Sequence, residues 1–535
     1  MSLLKRFAWQ SPVWLMAALV LLPVSVIVFS WHTAQTEVWQ HLIATDLPRL
    51  LKNTAILMIG VAICVAVVGV SLAWLTAVCE FPGRRWLDWA LLLPLAVPTY
   101  VVAFVAVGLM GYAGPVMTLW RQLFGDSAWS PDIRHPLGVV LVLSSVLYPY
   151  VYMLARSAFL SQGRSLVDAA RLLGVSPWGA FWRVGLPMAR PAIVAGMALA
   201  LMEALADFGA VSVFNFDTFT TAIYKSWFGF FSLQAAAQLA SLLLLFVALA
   251  LFAEQRMRGA GRLHQNPRRN RHRLQLRGAR AWVASGCCLL MFAVAFCIPV
   301  FQLLLWVFDT ETLDFDMHFW RLVAHTFMLG FVAAVLVVML AVLVSFARRL
   351  GDGKALAGAA RLASLGYALP GSVLAVGIMI AFAALDRELL RPLLTWAGAN
   401  PERLLLGSVS ALVVAYVIRF FSVGLGPVQS SLERIRPHYQ EVAHTLGHSH
   451  WQVLRRIYLP LLTPGMLTAL VLVLVDTMKE MPATLLMRPF GWDTLAVRIY
   501  EMTSEGQWQR AALPALVLVL VSILPVILIV RRSRR

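Results

Sequence analysis

Residues Asp168–Pro187 read DAARLLGVSPWGAFWRVGLP, and residues Glu441–Pro460 read EVAHTLGHSHWQVLRRIYLP. Both are polar, basic stretches between long apolar runs, and they lie 273 positions apart. Each opens on an acid, has Ala at its third position and Gly six positions after the acid, and closes on Leu-Pro. A loop of this kind present twice points to a membrane protein that couples to something soluble.

The flanking sequence supports a membrane setting. Of 535 residues, 60% are hydrophobic and 13% charged, and the mean hydropathy is +0.78. A soluble chain of this size could not bury that much apolar surface. Apolar runs fall at about 13–31, 54–79, 88–112, 137–155, 191–213, 235–253, 281–307, 326–347, 363–385, 405–425, 462–485 and 511–530. Each is long enough to cross a hydrocarbon core of about 30 Å as a helix. The expected fold is therefore an all-α integral membrane protein of about twelve transmembrane helices. The first run is long for a signal-peptide core, and no small-residue cleavage site follows it, so it is expected to be retained.

The net charge of +18 is distributed by topology. With Lys5 and Arg6 inside, most Lys and Arg fall on inner segments, as does the basic tail Arg531, Arg532, Arg534 and Arg535. Asp309, Glu311, Asp314 and Asp316 fall in an outer loop. This positive-inside pattern places both termini in the cytoplasm. The basic charge then serves orientation and contact with anionic membrane lipid, and no nucleic-acid partner is expected. The five cysteines, Cys64, Cys79, Cys287, Cys288 and Cys297, lie in or beside apolar runs without CxxC spacing, and read as small apolar helix residues.

An internal repeat sets the architecture. At an offset of 273, Ala170, Leu173, Trp178, Arg183, Pro191 and Thr221 match Ala443, Leu446, Trp451, Arg456, Pro464 and Thr494. At 272, Thr54, Pro98 and Val101 match Thr326, Pro370 and Val373. The chain thus reads as two units, 1–255 and 281–535, with six helices each, joined by an Arg-rich cytoplasmic linker at 256–280. Six is even, so the two six-helix repeats are parallel.

Within the duplicated loop, Asp168, Ala169 and Ala170 sit on a helix whose small side chains would let another surface approach. Gly174 ends that helix as a left-handed residue. Ser176-Pro177 starts a second one. Trp178, Phe181 and Trp182 give it an aromatic face, and Leu186-Pro187 closes it before the next membrane run. The second copy repeats this with Glu441, Ala443, Gly447, Ser449, Trp451, Ile457, Leu459 and Pro460. Exposed aromatics on such a projection make it a docking knob for a partner.

These loops resemble the EAA loop of ABC importer permeases, whose pattern is Glu-Ala-Ala, three residues, Gly, nine residues, Ile, any residue, Leu-Pro. Glu441, Ala443, Gly447, Ile457, Leu459 and Pro460 fit it, with Val442 replacing the first Ala. Ala169, Ala170, Gly174, Leu186 and Pro187 fit it, with Asp168 for Glu and Val184 for Ile. The resemblance implies a type I importer-like permease whose loops couple to two copies of an ABC ATPase subunit. It also implies a periplasmic substrate-binding protein, docking on the outer loops Asn215–Gln234 and Arg488–Gln509. No G-x-x-x-x-G-K-[ST] occurs in the chain; Gly351-Asp352-Gly353-Lys354-Ala355 lacks both the spacing and the hydroxyl residue. The chain is thus not expected to be an enzyme or to bind a cofactor, with ATP and magnesium carried by the partner ATPase.

Ionisable residues within membrane runs are the candidates for a pathway or gate. They are Glu203 and Asp207, four apart on one helix face, and Asp476, Lys479 and Glu480, with Glu480 the repeat mate of Asp207. A structural ion-pair network competes with direct solute contact as the reading of this set. Tyr100, Tyr148, Tyr150 and Tyr152 read as interfacial belt residues rather than metal ligands, and no metal site is expected. Segments Ala206–Trp227 and Lys479–Glu501 resemble the ferric-iron branch of fused two-unit permeases, which implies ferric iron as cargo. Related fused permeases for thiamine or 2-aminoethylphosphonate are the alternative, and an ion-driven secondary transporter is the rival from another class.

Overall fold

The computed structural model describes residues 3–33, 36–125, 130–172, 174–258, 273–309, 316–351, 353–396, 404–436 and 438–534. The first half contributes α1 (Leu3–Phe29), α2 (Leu47–Val78), α3 (Thr99–Met110), α4 (Pro136–Leu172), α5 (Leu186–Ala206) and α6 (Leu233–Arg258). The second contributes α7 (Ala279–Asp309), α8 (Met317–Leu350), α9 (Gly371–Leu385), α10 (Val409–Glu433), α11 (Leu459–Met478) and α12 (Trp508–Arg534). Among the described residues, eleven helical stretches are long and apolar enough to cross a membrane. A twelfth candidate is a bent pair, Lys354–Ala368 with Gly371–Trp396, turned by 115°.

Four expected runs prove to be broken helices. The run 88–112 divides into Arg84–Ala90, a 3-10 turn Leu93–Ala96 and then α3, and the run 363–385 divides likewise around the turn Ser364–Ala368. Pro98 and Pro370 are the cause. Each holds its predecessor in an extended conformation, Val97 at ψ 122° and Leu369 at ψ 122°, because the proline ring excludes the helical one. The runs 191–213 and 462–485 end early, at Ala206 and Met478, and short helices Gly209–Val213 and Pro482–Met487 follow. All four breaks face the middle of the molecule.

The halves interlock. In each half the second, fourth and fifth helices pack together: α2, α4 and α5, and α8, α10 and α11. The first helices cross over. α1 lies against α8, α9 and the helix Lys354–Ala363, while α7 reaches α3, where the Trp306 ring stacks on Phe104 at 6.0 Å. Two apolar cores result, each fed by both halves. One joins Leu57, Tyr148 and Phe208 to Trp306, Leu495 and Val519; the other joins Met16, Phe219 and Leu243 to Phe346, Tyr416 and Val473. The linker's described end is also tied down. Leu274–Gln275 pairs in parallel with Cys79–Glu80, and Glu80 receives Arg84 at 2.9 Å and Arg273 at 3.6 Å. The stretch 259–272 lies outside the described residues.

Tyr148 and Tyr152 are core residues rather than interfacial ones. Their hydroxyls donate to the carbonyls of Leu91 (2.8 Å) and Asp88 (2.9 Å), which the break before α3 would otherwise leave unserved. Gly377 of α9 shows how tightly the crossover packs, since a Cβ there would stand 2.7 Å from Pro23 Cβ and 2.8 Å from its carbonyl oxygen. Gly377→Val is therefore expected to destabilise the purified protein by about 1–3 kcal/mol, as overpacking does. Gly426→Val, where nothing lies within 4 Å of the added atom, is expected to leave stability unchanged. Thermal unfolding in detergent checks both.

Candidate functional site

The breaks enclose a cavity of about 150 Å³ between the halves, lined by both. Glu203, Asp207, Asp476, Lys479 and Glu480 all line it. The fold thus gathers the five ionisable residues of α5 and α11 and their ends around one space. Thr99, Tyr100, Tyr150, Tyr367 and Arg419 complete its polar surface.

Two of the four acids serve the helix breaks. Asp207 follows the end of α5. Its carboxylate accepts from the Ala210 N–H at 2.8 Å and from Thr99 Oγ1 at 2.5 Å, and its carbonyl accepts from Thr220 Oγ1 at 2.7 Å. Its repeat mate Glu480 accepts from the Ala483 N–H at 3.1 Å, and its carbonyl accepts from Thr484 Oγ1 at 2.7 Å. Each acid therefore caps the short helix that follows it. The copies then diverge. Glu480 pairs with Arg419 at 2.9 Å, both side chains buried, and Arg419 also donates to the Leu369 carbonyl at 2.9 Å. Where Thr99 stands in the first half the second has Gly371, at which a Cβ would meet Glu480 Oε1 at 2.4 Å. The glycine leaves the room that lets Glu480 turn to Arg419.

The other two acids, Glu203 and Asp476, are also 273 apart. Glu203 accepts from the Tyr367 hydroxyl at 2.5 Å. Asp476 lies 3.9 Å from Lys479 Nζ, which donates to the Leu95 carbonyl at 3.2 Å. Among the described residues no group of three or more His, Cys, Asp or Glu is arranged to hold a metal ion. Thr99, Tyr367 and Arg419 join the site beyond the sequence-derived set. A cation inside the apolar run 405–425 is a legible signal for Arg419; Thr99 and Tyr367 carry none.

The duplicated loops share one backbone. Asp168, Ala169 and Ala170 lie on the last turns of α4, and their side chains are outside the described set. Glu441 and Ala443 lie on the helix His438–Thr445. Gly174 and Gly447 both have φ +80°, the left-handed conformation expected of them. Ser176 Oγ then accepts from the Gly179 N–H at 3.1 Å, and Ser449 forms a capping box with Gln452.

Three details differ from the sequence expectation. Leu186-Pro187 and Leu459-Pro460 do not close the short helices Pro177–Ala180 and His450–Val453. The helices continue through π-turns, Phe181–Gly185 and Leu454–Tyr458, straight into α5 and α11, with each proline at the first turn of the membrane helix. The proline gives no N–H to the carbonyl four residues back, and the wider turn keeps the helix continuous. Phe181 is buried against Trp74, with ring centroids 4.9 Å apart, while Trp182 is exposed, so they do not share a face. Ala443 is buried, and the surface its small side chain admits is this protein's own body. Ile457 is half-buried and Pro460 exposed. Val442, Leu446 and Trp451 are large exposed apolar residues of the second loop, and Tyr439 is exposed just before it.

Comparison with known proteins agrees with this geometry. The model of the family described as binding-protein-dependent transport system inner membrane component matches residues 66–259 and again residues 357–535. The chain is 27% identical over 534 residues to the Fe(3+)-transport system permease protein FbpB 2 of Haemophilus influenzae, covering 97% of this chain and 98% of that one. It is 29% identical over 213 residues to the probable sulfate transport system permease protein cysT of Nephroselmis olivacea (39% of this chain, 72% of that one). It is 33% identical over 149 residues to the molybdenum transport system permease protein ModB of Escherichia coli K12 (27% and 62%). One family match falls on each half of a helical, multi-pass chain whose breaks enclose a polar cavity, and the protein belongs to the inner membrane components of binding-protein-dependent transport systems.

Proposed function

We propose that this permease carries ferric iron across the inner membrane in an ATP-driven importer. The carboxylate excess of the central cavity carries the cargo assignment. Four acids, Glu203, Asp207, Asp476 and Glu480, face two cations, Arg419 and Lys479. Fixed negative charge with low-dielectric walls favours a cation and opposes an oxyanion. The iron-named relative supports the same reading, since it shares the two-unit length of this chain and aligns over nearly all of it; the sulfate- and molybdenum-named relatives align with a single unit's length. Thiamine, itself cationic, is the competing cargo. In cells with and without this gene, uptake of radiolabelled ferric iron is expected to fall to background on deletion, with molybdate and thiamine uptake unchanged. Intact iron uptake overturns the cargo, and loss of thiamine uptake assigns it instead.

The mechanism we infer is alternating access. Two ATPase subunits, which hold the ATP and magnesium, grip the loops at Asp168–Pro187 and Glu441–Pro460 on the cytoplasmic side, where both termini also lie. A periplasmic binding protein delivers the solute to the opposite face. The continuity of each loop helix with α5 or α11 supports this reading, because α5 and α11 end at the cavity acids and a displacement of the loop is passed along a rigid rod. The glycines at φ +80° set the angle between the two loop helices. Gly174→Val with Gly447→Val is expected to strain each turn by roughly 1–2 kcal/mol, abolishing uptake while leaving membrane abundance intact. Unchanged uptake in the double variant rules out the coupling role, and uptake lost on collapsing the proton gradient with ATP preserved would favour an ion-driven transporter.

A further inference from the structure

Two of the cavity acids are spent on backbone capping, as described. Glu203 and Asp476 are not, and beside each of them a contact crosses between the halves. Glu203 of the first half accepts from Tyr367, in the 3-10 turn Ser364–Ala368 of the second. Asp476 of the second half neighbours Lys479, which donates to Leu95 in the 3-10 turn Leu93–Ala96 of the first. The elements correspond under the repeat: Glu203 with Asp476 at an offset of 273, Leu95 with Tyr367 at 272. At one crossing a phenol spans the gap. At the other the repeat position is Leu95, with no hydroxyl, and Lys479, beside Asp476, spans the gap by donating to the Leu95 carbonyl. The corresponding elements are thus tied twice with different chemistry, and both ties lie at the same cavity.

We propose that Glu203 and Asp476 hold a matched pair of latches, Glu203 by accepting directly from Tyr367 of the other half and Asp476 by keeping Lys479 of its own half on the Leu95 carbonyl, and that each latch is released when a multivalent cation takes over the carboxylate. This rests on the reading of the cavity as the passage for a cation. The ties suit exchange. A single phenol donor and an ammonium 3.9 Å away set less positive charge against a carboxylate than a multivalent ion in direct contact does. The capping acids are held by backbone N–H groups or a buried guanidinium and stay in place. Both latch acids remain half-buried, open to the cavity they close.

The test reads cavity access directly and depends on neither uptake nor ATP. Val146, buried in the cavity wall on α4, is replaced by Cys in a chain whose five native cysteines are changed to Ala. Labelling by a membrane-impermeant thiol reagent is followed in vesicles of both orientations. Tyr367→Phe with Lys479→Met removes both ties and is expected to speed labelling by about tenfold, the shift for losing contacts of ordinary hydrogen-bond strength. Ferric nitrilotriacetate is expected to speed labelling of the parent, and not of Glu203→Gln with Asp476→Asn, whose amides keep an acceptor for the tie but lose the charge. Unchanged labelling in the Tyr367–Lys479 variant overturns the latch. Faster labelling there, with a parent indifferent to ferric nitrilotriacetate, overturns release by the cation. If labelling behaves as expected while cellular iron uptake is intact without the gene, the latch stands and only the cargo assignment fails.

Discussion

A helix that stops inside a bilayer must have its terminal N–H and C=O groups satisfied by protein, because lipid offers them nothing. This chain stops helices inside its apolar runs four times, after Ala206 and Met478 and before Thr99 and Gly371. The chemistry at the centre follows from that constraint. Asp207 and Glu480 serve the N–H groups of the short helices that follow them, Thr220 and Thr484 serve the carbonyls of those same acids, and Arg419 and Lys479 serve the carbonyls of Leu369 and Leu95. Asp207, Glu480, Arg419 and Lys479 are thus inseparable from the breaks. Without the breaks they would be costly intrusions; without them the breaks would strand backbone groups.

The two halves solve this problem with the same backbone and different side chains. Thr99 holds Asp207 where Gly371 frees Glu480 for Arg419. At the base of the loops, Gly185 makes room for Trp74, while its counterpart Tyr458 packs on the smaller Phe346 at 5.3 Å. In both places bulk moves from one partner to the other while the volume filled is conserved, as close packing demands. A cavity built this way has two chemically distinct walls and an asymmetric field between them.

Much of this was legible in the sequence because it rests on local rules. The apolar runs, the 273-residue repeat, the left-handed glycines at 174 and 447 and the serine caps after them depend on a few neighbouring residues each. The breaks at Pro98 and Pro370 were written in the prolines but masked by apolar flanks, which fit a continuous span equally well. The continuity of the loop helices with α5 and α11 ran against the usual meaning of Leu-Pro, since only a π-turn lets the helix pass the proline. The inward turn of Phe181 depends on Trp74, more than a hundred positions away, and the hydrogen bond from Tyr367 to Glu203 depends on how the halves meet. Such pairings have no local signature. Arg419 lies between these cases: its charge marks it, but its partner is set by the fold.

The crossing of α1 onto α8 and α9 has a consequence for biogenesis. Most of the surface that α1 needs is not in place until Leu385 has been made, 356 residues after Phe29. At roughly 5–20 residues per second, the first helix waits on the order of 20–70 s in the membrane without most of its native neighbours. It carries Pro12 and Pro23, and its end at Pro23 and Ile27 is shaped for Gly377. During that interval it must be held by lipid, by the insertion machinery or by α6, which packs on it from the first half. Synthesis order thus makes the second half the template on which the beginning of the chain finally settles.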